Sequence, residues 1–537
     1  MLEQLQYLKK LLDSQKQYSD DFIYILAEYI DLAVDSRIPE HLDHALSFCE
    51  KYISSENISQ INRVRLEYFQ ANIWAGKYEL SRIYEGEQSK MNSQWNWEQP
   101  ELSQELIHLR KAIRSEDFTK LQKIYRCQIY TNAANTLNTL GRFFEAFEYW
   151  QQAIAIMPNF AMALGNLGYA LGYVKEFFYD PGHKVMYLTF AHQHFVTALQ
   201  STAFYDGEQE NAKYNFLIMK QHIEKTLNLD FVYQNLNLNE YHLGNTDAET
   251  NYRQWCLKNR LFLNPLNDLG VYAIAARDIL TLPHFFVKTS DPAPTIAGFY
   301  NQMKQEYCSA RYFFYQGISA QEPHFSDKEV LLYDTLDATI YGLSLEQIRA
   351  AFRICYSILD KVAFFINFYW EIGDELDRVS LRSIWYEKKS KGNKITNNPK
   401  GIRSKFERYE NLPLRGLFWL SRDILETKSE LYETLEPDAY EINGIRNHLE
   451  HKYMKIHEDF CIPISQAVPY PFQDKLAYSI NRSQFIDKTL RLLKLVRSAL
   501  MYLSLAVHIE ENNKRRKISE DKFSSFELQE IEDQKKL

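Results

Sequence analysis

Cysteine is scarce in this chain. Its six copies, Cys49, Cys127, Cys256, Cys308, Cys355 and Cys461, stand far apart with no CxxC pair. That pattern disfavours a zinc knuckle and a disulfide framework alike, and it fits a reducing, cytoplasmic setting. Glycine and proline are also few, 18 and 15 in 537 residues, which argues against a turn-rich β-protein and for long helices. The first residues, MLEQLQYLKKLLDSQKQYSDD, are amphipathic with lysines and lack the apolar core and small-residue cleavage site of a signal peptide. The most apolar stretch, LRLLKLVRSALMYLSLAVHI, carries Arg491, Lys494 and Arg497 in its first half. It falls short of a clean 18-residue apolar span, so we expect a core helix and no membrane partner. Positive charge is not in excess either: the net formal charge is −8. Any RNA contact must therefore use a local basic patch.

What the chain has is apolar and aromatic substance, 45% and 15% of its residues. That is enough for two to four packed domains, and with Leu, Tyr, Phe, Glu and Lys abundant the expected class is all-α. Residues 127–160 read CQIYTNAANTLNTLGRFFEAFEYWQQAIAIMPNF. This resembles the 34-residue tetratricopeptide pattern of two antiparallel helices. Ala133, Ala134, Gly141, Ala146, Trp150, Ala153 and Pro158 fall where that repeat wants small residues, a large anchor and a terminating proline. A second unit starts near Ala161, with Leu164, Leu167, Gly168 and Leu171 in register. EFFYDPGHKVM is expected as an inserted loop before its second helix. The segments HLDHALSFCEKYIS and RVRLEYFQANIWAGKYELSRI have degenerate versions of the same periodicity, giving three to five repeats in residues 1–230. Such an array buries its own core and offers a concave face to a protein or peptide partner. Residues 231–335 read as a helical bridge; Trp255, Phe262 and Pro265 could line a channel, although packing is the commoner role of such clusters.

The chemistry concentrates in EPDAYEINGIRNHLEHKY. Asn447 and His451 are four apart and share a helical face, and Arg446, about 100° round the wheel, can curl toward Asn447. One phosphodiester could touch all three. The helix is expected to start at Glu436-Pro437-Asp438, with proline in the first turn and an acid at the positive end of the dipole. Gly444 inside it costs about 1 kcal/mol relative to Ala, which hints at close approach by another backbone or a ligand. His448 points about 60° away from His451 and reads as solvated or supporting; Asp360 could orient Arg446 or be an ordinary surface acid. Spacing alone is weak, because charged helical faces are usually just solvated.

Context strengthens it. SLEQIRAAFRICYSILDKVAFFINFYWEI, PLRGLFWLSRDILETKSELYETL, the Arg446 helix and a last helix at about 487–511 form a four-helix up-and-down pattern. With R-N-x-x-x-H in the third helix, these resemble the HEPN superfamily (higher eukaryotes and prokaryotes nucleotide-binding). ILDKVAFFINFYW, RSIWYEKK, LRGLFWLSRDI and the motif run are together similar to the bacterial family that joins tetratricopeptide repeats to a C-terminal HEPN domain. The expected organisation is a tetratricopeptide-like solenoid at 1–230, a bridge at 231–335, a HEPN bundle at 336–511 and a charged tail at 512–537.

The resemblance implies a metal-independent endoribonuclease without cofactor, in which a homodimer brings two motif sets into one cleft. In it Arg446 would be the phosphate cation, His451 an acid or base, and Asn447 a phosphate or base-edge donor. The family's company also suggests phage defence, or a toxin silenced by a nucleotidyltransferase-type antitoxin. From a different class comes the alternative of a non-catalytic scaffold whose HEPN bundle only dimerises. WYEKKSKGNKITNNPKGIRSKFER is the dense basic loop of an acidic chain. Lys388, Lys389, Lys391 and Lys394, with Lys400, Arg403, Lys405 and Arg408, could steer RNA, with Trp385 and Tyr386 as stacking platforms; a solvated loop is the plain alternative. The tail after 511 has few apolar anchors and reads as frayed or disordered.

Overall fold

Sparse glycine and proline and long apolar periodicities yield a helical protein. The computed structural model describes residues 1–14, 22–56, 58–84, 95–207, 209–288, 296–376, 379–391, 394–407, 409–424, 439–460, 474, 476–517, 523–526 and 530–536. The first helices are α1 (Leu2–Asp13), α2 (Ile23–Ser36), α3 (Pro39–Ile53), α4 (Gln60–Tyr84), α5 (Pro100–Arg114), α6 (Lys123–Thr139), α7 (Phe143–Ile156), α8 (Ala161–Val174) and α9 (Pro181–Ala198). There follow α10 (Glu210–Thr226), α11 (Leu229–Asn235), α12 (Asp247–Lys258), α13 (Ile296–Ser319) and α14 (Leu343–Tyr369). The last are α15 (Leu412–Ser421), α16 (Ala439–His451) and α17 (Arg482–Lys517).

Consecutive helices pair along the N-terminal array, α4 with α5, α6 with α7 and α8 with α9. The small residues of the repeat pattern are where helices meet: Ala133, Ala134, Ala146 and Ala153 are buried beside the Trp150 anchor. The expected loop EFFYDPGHKVM is shorter than its sequence suggested. Asp180 accepts from the His183 backbone N–H and caps α9 ahead of Pro181, so the helix starts six residues earlier than Tyr187, where the apolar pattern resumes. Phe262 and Pro265 are buried and the Trp255 ring packs at a tilt against Phe314 and Tyr315, so this cluster is packing and not a channel.

Two cores share the work. One covers the first helices from Leu5 to Ala133; the other runs unbroken from Trp97 to Val507 and joins the later array to the C-terminal bundle. In the bundle α14 packs on α13, α16 and α17, and α15 packs on α17. Helix α17 does contain a window long and apolar enough to cross a membrane, contrary to its sequence reading, but 83% of that window is buried inside the fold. Its arginine explains why: Arg497 donates to both Asp268 carboxylate oxygens, at 2.9 and 2.8 Å, and to the carbonyls of Phe262 and Asn264.

Among the described residues, three short strand pairs trim the helices. β1 (Phe285–Lys288) pairs antiparallel with β6 (Phe523–Phe526), and 512–517 continue α17, so this much of the tail is tied down rather than frayed. β2 (Tyr386–Lys391) and β3 (Lys394–Ile402) make an antiparallel hairpin where the sequence suggested a loop. The Gly-Asn pair between two strand-like runs is the sequence sign of it. β4 (Tyr453–His457) and β5 (Ala477–Asn481) run parallel and tether α16 directly to α17.

Candidate active site

Helix α14 presents one polar stripe to α16. Arg349, Arg353, Tyr356 and Asp360 recur every three or four residues along this helix and so share a face. Arg353 donates to the Leu449 carbonyl at 2.7 Å and lies 3.5 Å from the Glu450 carboxylate. Tyr356 donates its hydroxyl to Asn443 Oδ1 at 2.7 Å, and Asn443 Nδ2 donates to the Ile424 carbonyl at 2.9 Å. At the other end of α16, Lys488 pairs with Glu441 at 2.7 Å. The motif helix is therefore pinned by α14, by the chain just after α15, and by α17. The sequence reading missed Tyr356, Arg353 and Asn443, although the spacing of the stripe could have shown the first two.

On that support Arg446 lies over the Tyr356 ring, its guanidinium carbon 5.4 Å from the centroid, and donates to Asn447 Oδ1 at 3.0 Å. The curl expected of Arg446 is thus present. Both residues are half-buried, and His451 is exposed; its imidazole has no partner among the described residues. Asp360 is held above the usual carboxylate range by burial, partly offset by the Arg446 charge. No direct ion pair joins the two, so Asp360 contributes a distant field and not the orienting contact considered for it. His448 has a different task. Its Nδ1 donates to the Gly444 carbonyl at 2.7 Å, and its ring stacks on Tyr478 with centroids 5.0 Å apart. Among the described residues, a Cβ on Gly444 would meet the Tyr478 ring, at 3.7 Å or more, and no described backbone approaches it. The expected helix start at Glu436-Pro437-Asp438 lies outside the described residues.

The proposed RNA-facing residues divide. Trp385 is no stacking platform: it is fully buried, 5.5 to 5.9 Å from the rings of Trp97, Phe406 and Phe418. Tyr386 is buried with it. Aromatic area of this kind gains more from a dry core than from waiting in solvent for a base. Arg403 is spoken for by Asp374 at 2.7 Å and the Ile384 carbonyl at 2.8 Å, and Lys405 by the Trp370 carbonyl. Lys388, Lys389, Lys391 and Lys394 stand on the β2–β3 hairpin, with Lys388 opposite Pro399 and Lys391 opposite Lys394. Their side chains, that of Lys400, and Arg408 lie outside the described residues.

Helix α5, the α6–α7 turn, α15 and α17 also meet at a charged junction. Asp423, just after α15, accepts from Arg110 at 2.8 Å and from Arg142 at 2.5 Å with no exposed surface. Burial alone would raise its pKa, but the two guanidiniums outweigh that and hold it below the ordinary range. Backbones touch here as well: Gly141, at φ +88°, would place a Cβ 2.6 Å from the Leu412 carbonyl, and a Cβ on Gly416 would strike the Gly141 carbonyl. The lack of a side chain at both positions lets the α6–α7 turn seat on α15.

Against known proteins, no curated protein and no solved structure matches the chain. The family model described as LA2681-like HEPN matches residues 287–510, and the chain accordingly carries a C-terminal HEPN domain, one whose match takes in α13 as well as α14 to α17.

Proposed function

We propose that the protein is a metal-independent endoribonuclease whose HEPN domain works as a homodimer in the cytoplasm, with the tetratricopeptide-like array binding a protein or peptide partner. The observation that carries this is the arrangement on α16: a propped arginine, an amide it holds, and an exposed imidazole with no partner among the described residues.

In the reaction the ribose 2′-oxygen attacks the adjacent phosphorus while one His451 takes its proton. The bond from phosphorus to the 5′-oxygen breaks, and His451 of the second copy protonates that leaving oxygen. Arg446 stabilises the extra charge of the phosphorane, with Asn447 beside it. The products are a 2′,3′-cyclic phosphate and a 5′-hydroxyl. Lys388, Lys389, Lys391 and Lys394 supply the basic patch through which an acidic chain could hold an RNA backbone.

The test is to incubate the purified protein with total RNA, with and without EDTA, and map the ends. Cleavage insensitive to EDTA, giving cyclic-phosphate ends and blocked by a 2′-deoxy substitution at the cut, supports the mechanism. No cleavage by a folded dimer would leave the scaffold alternative standing, and 5′-phosphate ends would overturn the mechanism.

A further inference from the structure

A cavity of about 490 Å³ opens where the helical array meets α17, bounded by α5, α6 and α7 on one side and by the first half of α17 on the other. Seven cationic side chains line it against five carboxylates, in a chain whose net charge is −8. Most of these carboxylates already answer named cations: Asp423 takes Arg110 and Arg142, Glu148 takes Lys494 at 2.7 Å, and Asp268 takes Arg497. Glu145 takes Arg142 as well, at 3.2 Å. Arg260 stands apart from these pairs. It bonds to the neutral Gln151, and its buried Nη1 has no hydrogen-bond partner among the described residues. Its backbone is left-handed as well, at φ +56°, where a residue with a side chain carries strain that glycine would not.

The walls match a ligand with an anionic end and a flat end. Tyr130 and Tyr149, half-buried with ring centroids 5.9 Å apart, stand on the array side. The volume falls within the roughly 300–1,000 Å³ of small-molecule sites. We propose that this cavity binds a phosphorylated ligand of the nucleotide class, with the guanidinium floor taking the phosphates and the tyrosines the base. Guanidinium forks match phosphate oxygens, and partial burial strengthens the attraction.

The same cavity has a route to the motif helix. Asp423, on its lining, is followed by Ile424, whose carbonyl is held by Asn443 of α16; Asn443 is held by Tyr356, and Tyr356 carries Arg446. A phosphate competing with Asp423 for Arg110 and Arg142 would loosen the first link of that chain. Binding requires nothing of the ribonuclease reading; only its effect at Arg446 rests on that reading.

Isothermal titration calorimetry of the full-length protein with ATP, tripolyphosphate and adenosine tests the site. ATP and tripolyphosphate should bind and adenosine alone should not, with ATP the tighter of the two. Arg260→Gln, and independently Arg491→Glu at the rim, should each weaken ATP at least about tenfold, whereas Arg446→Ala should leave it unchanged. No heat with either anion at millimolar concentration overturns the site. So does wild-type affinity in both cavity variants, or a loss confined to Arg446→Ala, which would place the anion on the motif. Equal affinity for ATP and tripolyphosphate overturns the nucleotide assignment in favour of free polyphosphate. ATP should also change the rate of RNA cleavage in the wild type but not in Arg260→Gln; binding without a rate change overturns the link to Arg446. A protein that cuts no RNA but binds ATP through Arg260 would defeat the ribonuclease reading and keep the site.

Discussion

Asp423 at the array junction and His451 at the end of the motif helix are both polar, yet the protein treats them in opposite ways. Asp423 has no exposed surface and is gripped by Arg110 and Arg142, while His451 stands in solvent without a partner among the described residues. The junction is made of groups that would be costly to leave unpaired, so each holds the other in place unless another charge takes over the pairing. At the motif edge the His451 imidazole is exposed, so it adds little to stability and is reachable from solvent. Damage should therefore separate cleanly, with loss of fold at the first and loss of chemistry at the second.

The sharpest way to break this contrast is at the motif. His451→Ala and Arg446→Ala should each lower RNA cleavage by about two orders of magnitude or more, with chemical denaturation curves that overlay the wild type. His448→Ala should be mild in cleavage, because that imidazole is tied to the Gly444 carbonyl and to Tyr478. A catalytic loss in His448→Ala equal to that in His451→Ala would move the acid–base role one turn along the helix.

At the junction, Asp423→Ala should cost about 3–5 kcal/mol in urea unfolding, since it strands two buried guanidiniums. A near-neutral result would mean that water or a ligand reaches them. Gly416→Ala should cost about 1–3 kcal/mol or more by overpacking against the Gly141 turn, measured in the same way. Between the two regions lies Tyr356→Phe, which removes the bond to Asn443 but keeps a ring under Arg446. We expect about 1 kcal/mol of stability and less than about tenfold in cleavage.

The gentlest lever is pH, acting on the array. Glu105 is buried, and burial pushes its pKa up to about 8, partly countered by the Thr136 hydroxyl. An acid whose folded pKa is raised gives stability that is fully present below its ordinary value and lost as pH rises through the folded one. Stability should thus fall between about pH 4.5 and 8, and Glu105→Gln should flatten that slope in thermal melts across the range.

The sequence by itself determined the helical class, the paired helices of residues 127–198 and the R-N-x-x-x-H helix, because each is written in local periodicity and in small or capping residues a few positions apart. Even the reach of Arg446 toward Asn447 follows from helix geometry. Only the tertiary structure decided that Trp385 is core, since burial depends on Trp97, Phe406 and Phe418 arriving from distant segments. The same holds for Gly141, which reads as a repeat glycine but is also the seat of α15. It holds for Asp423, an ordinary acid in sequence that becomes a buried bridge once Arg110 and Arg142 fold onto it. Local patterns report forces within one or two helical turns, whereas burial and charge pairing between residues hundreds of positions apart exist only after the chain has packed.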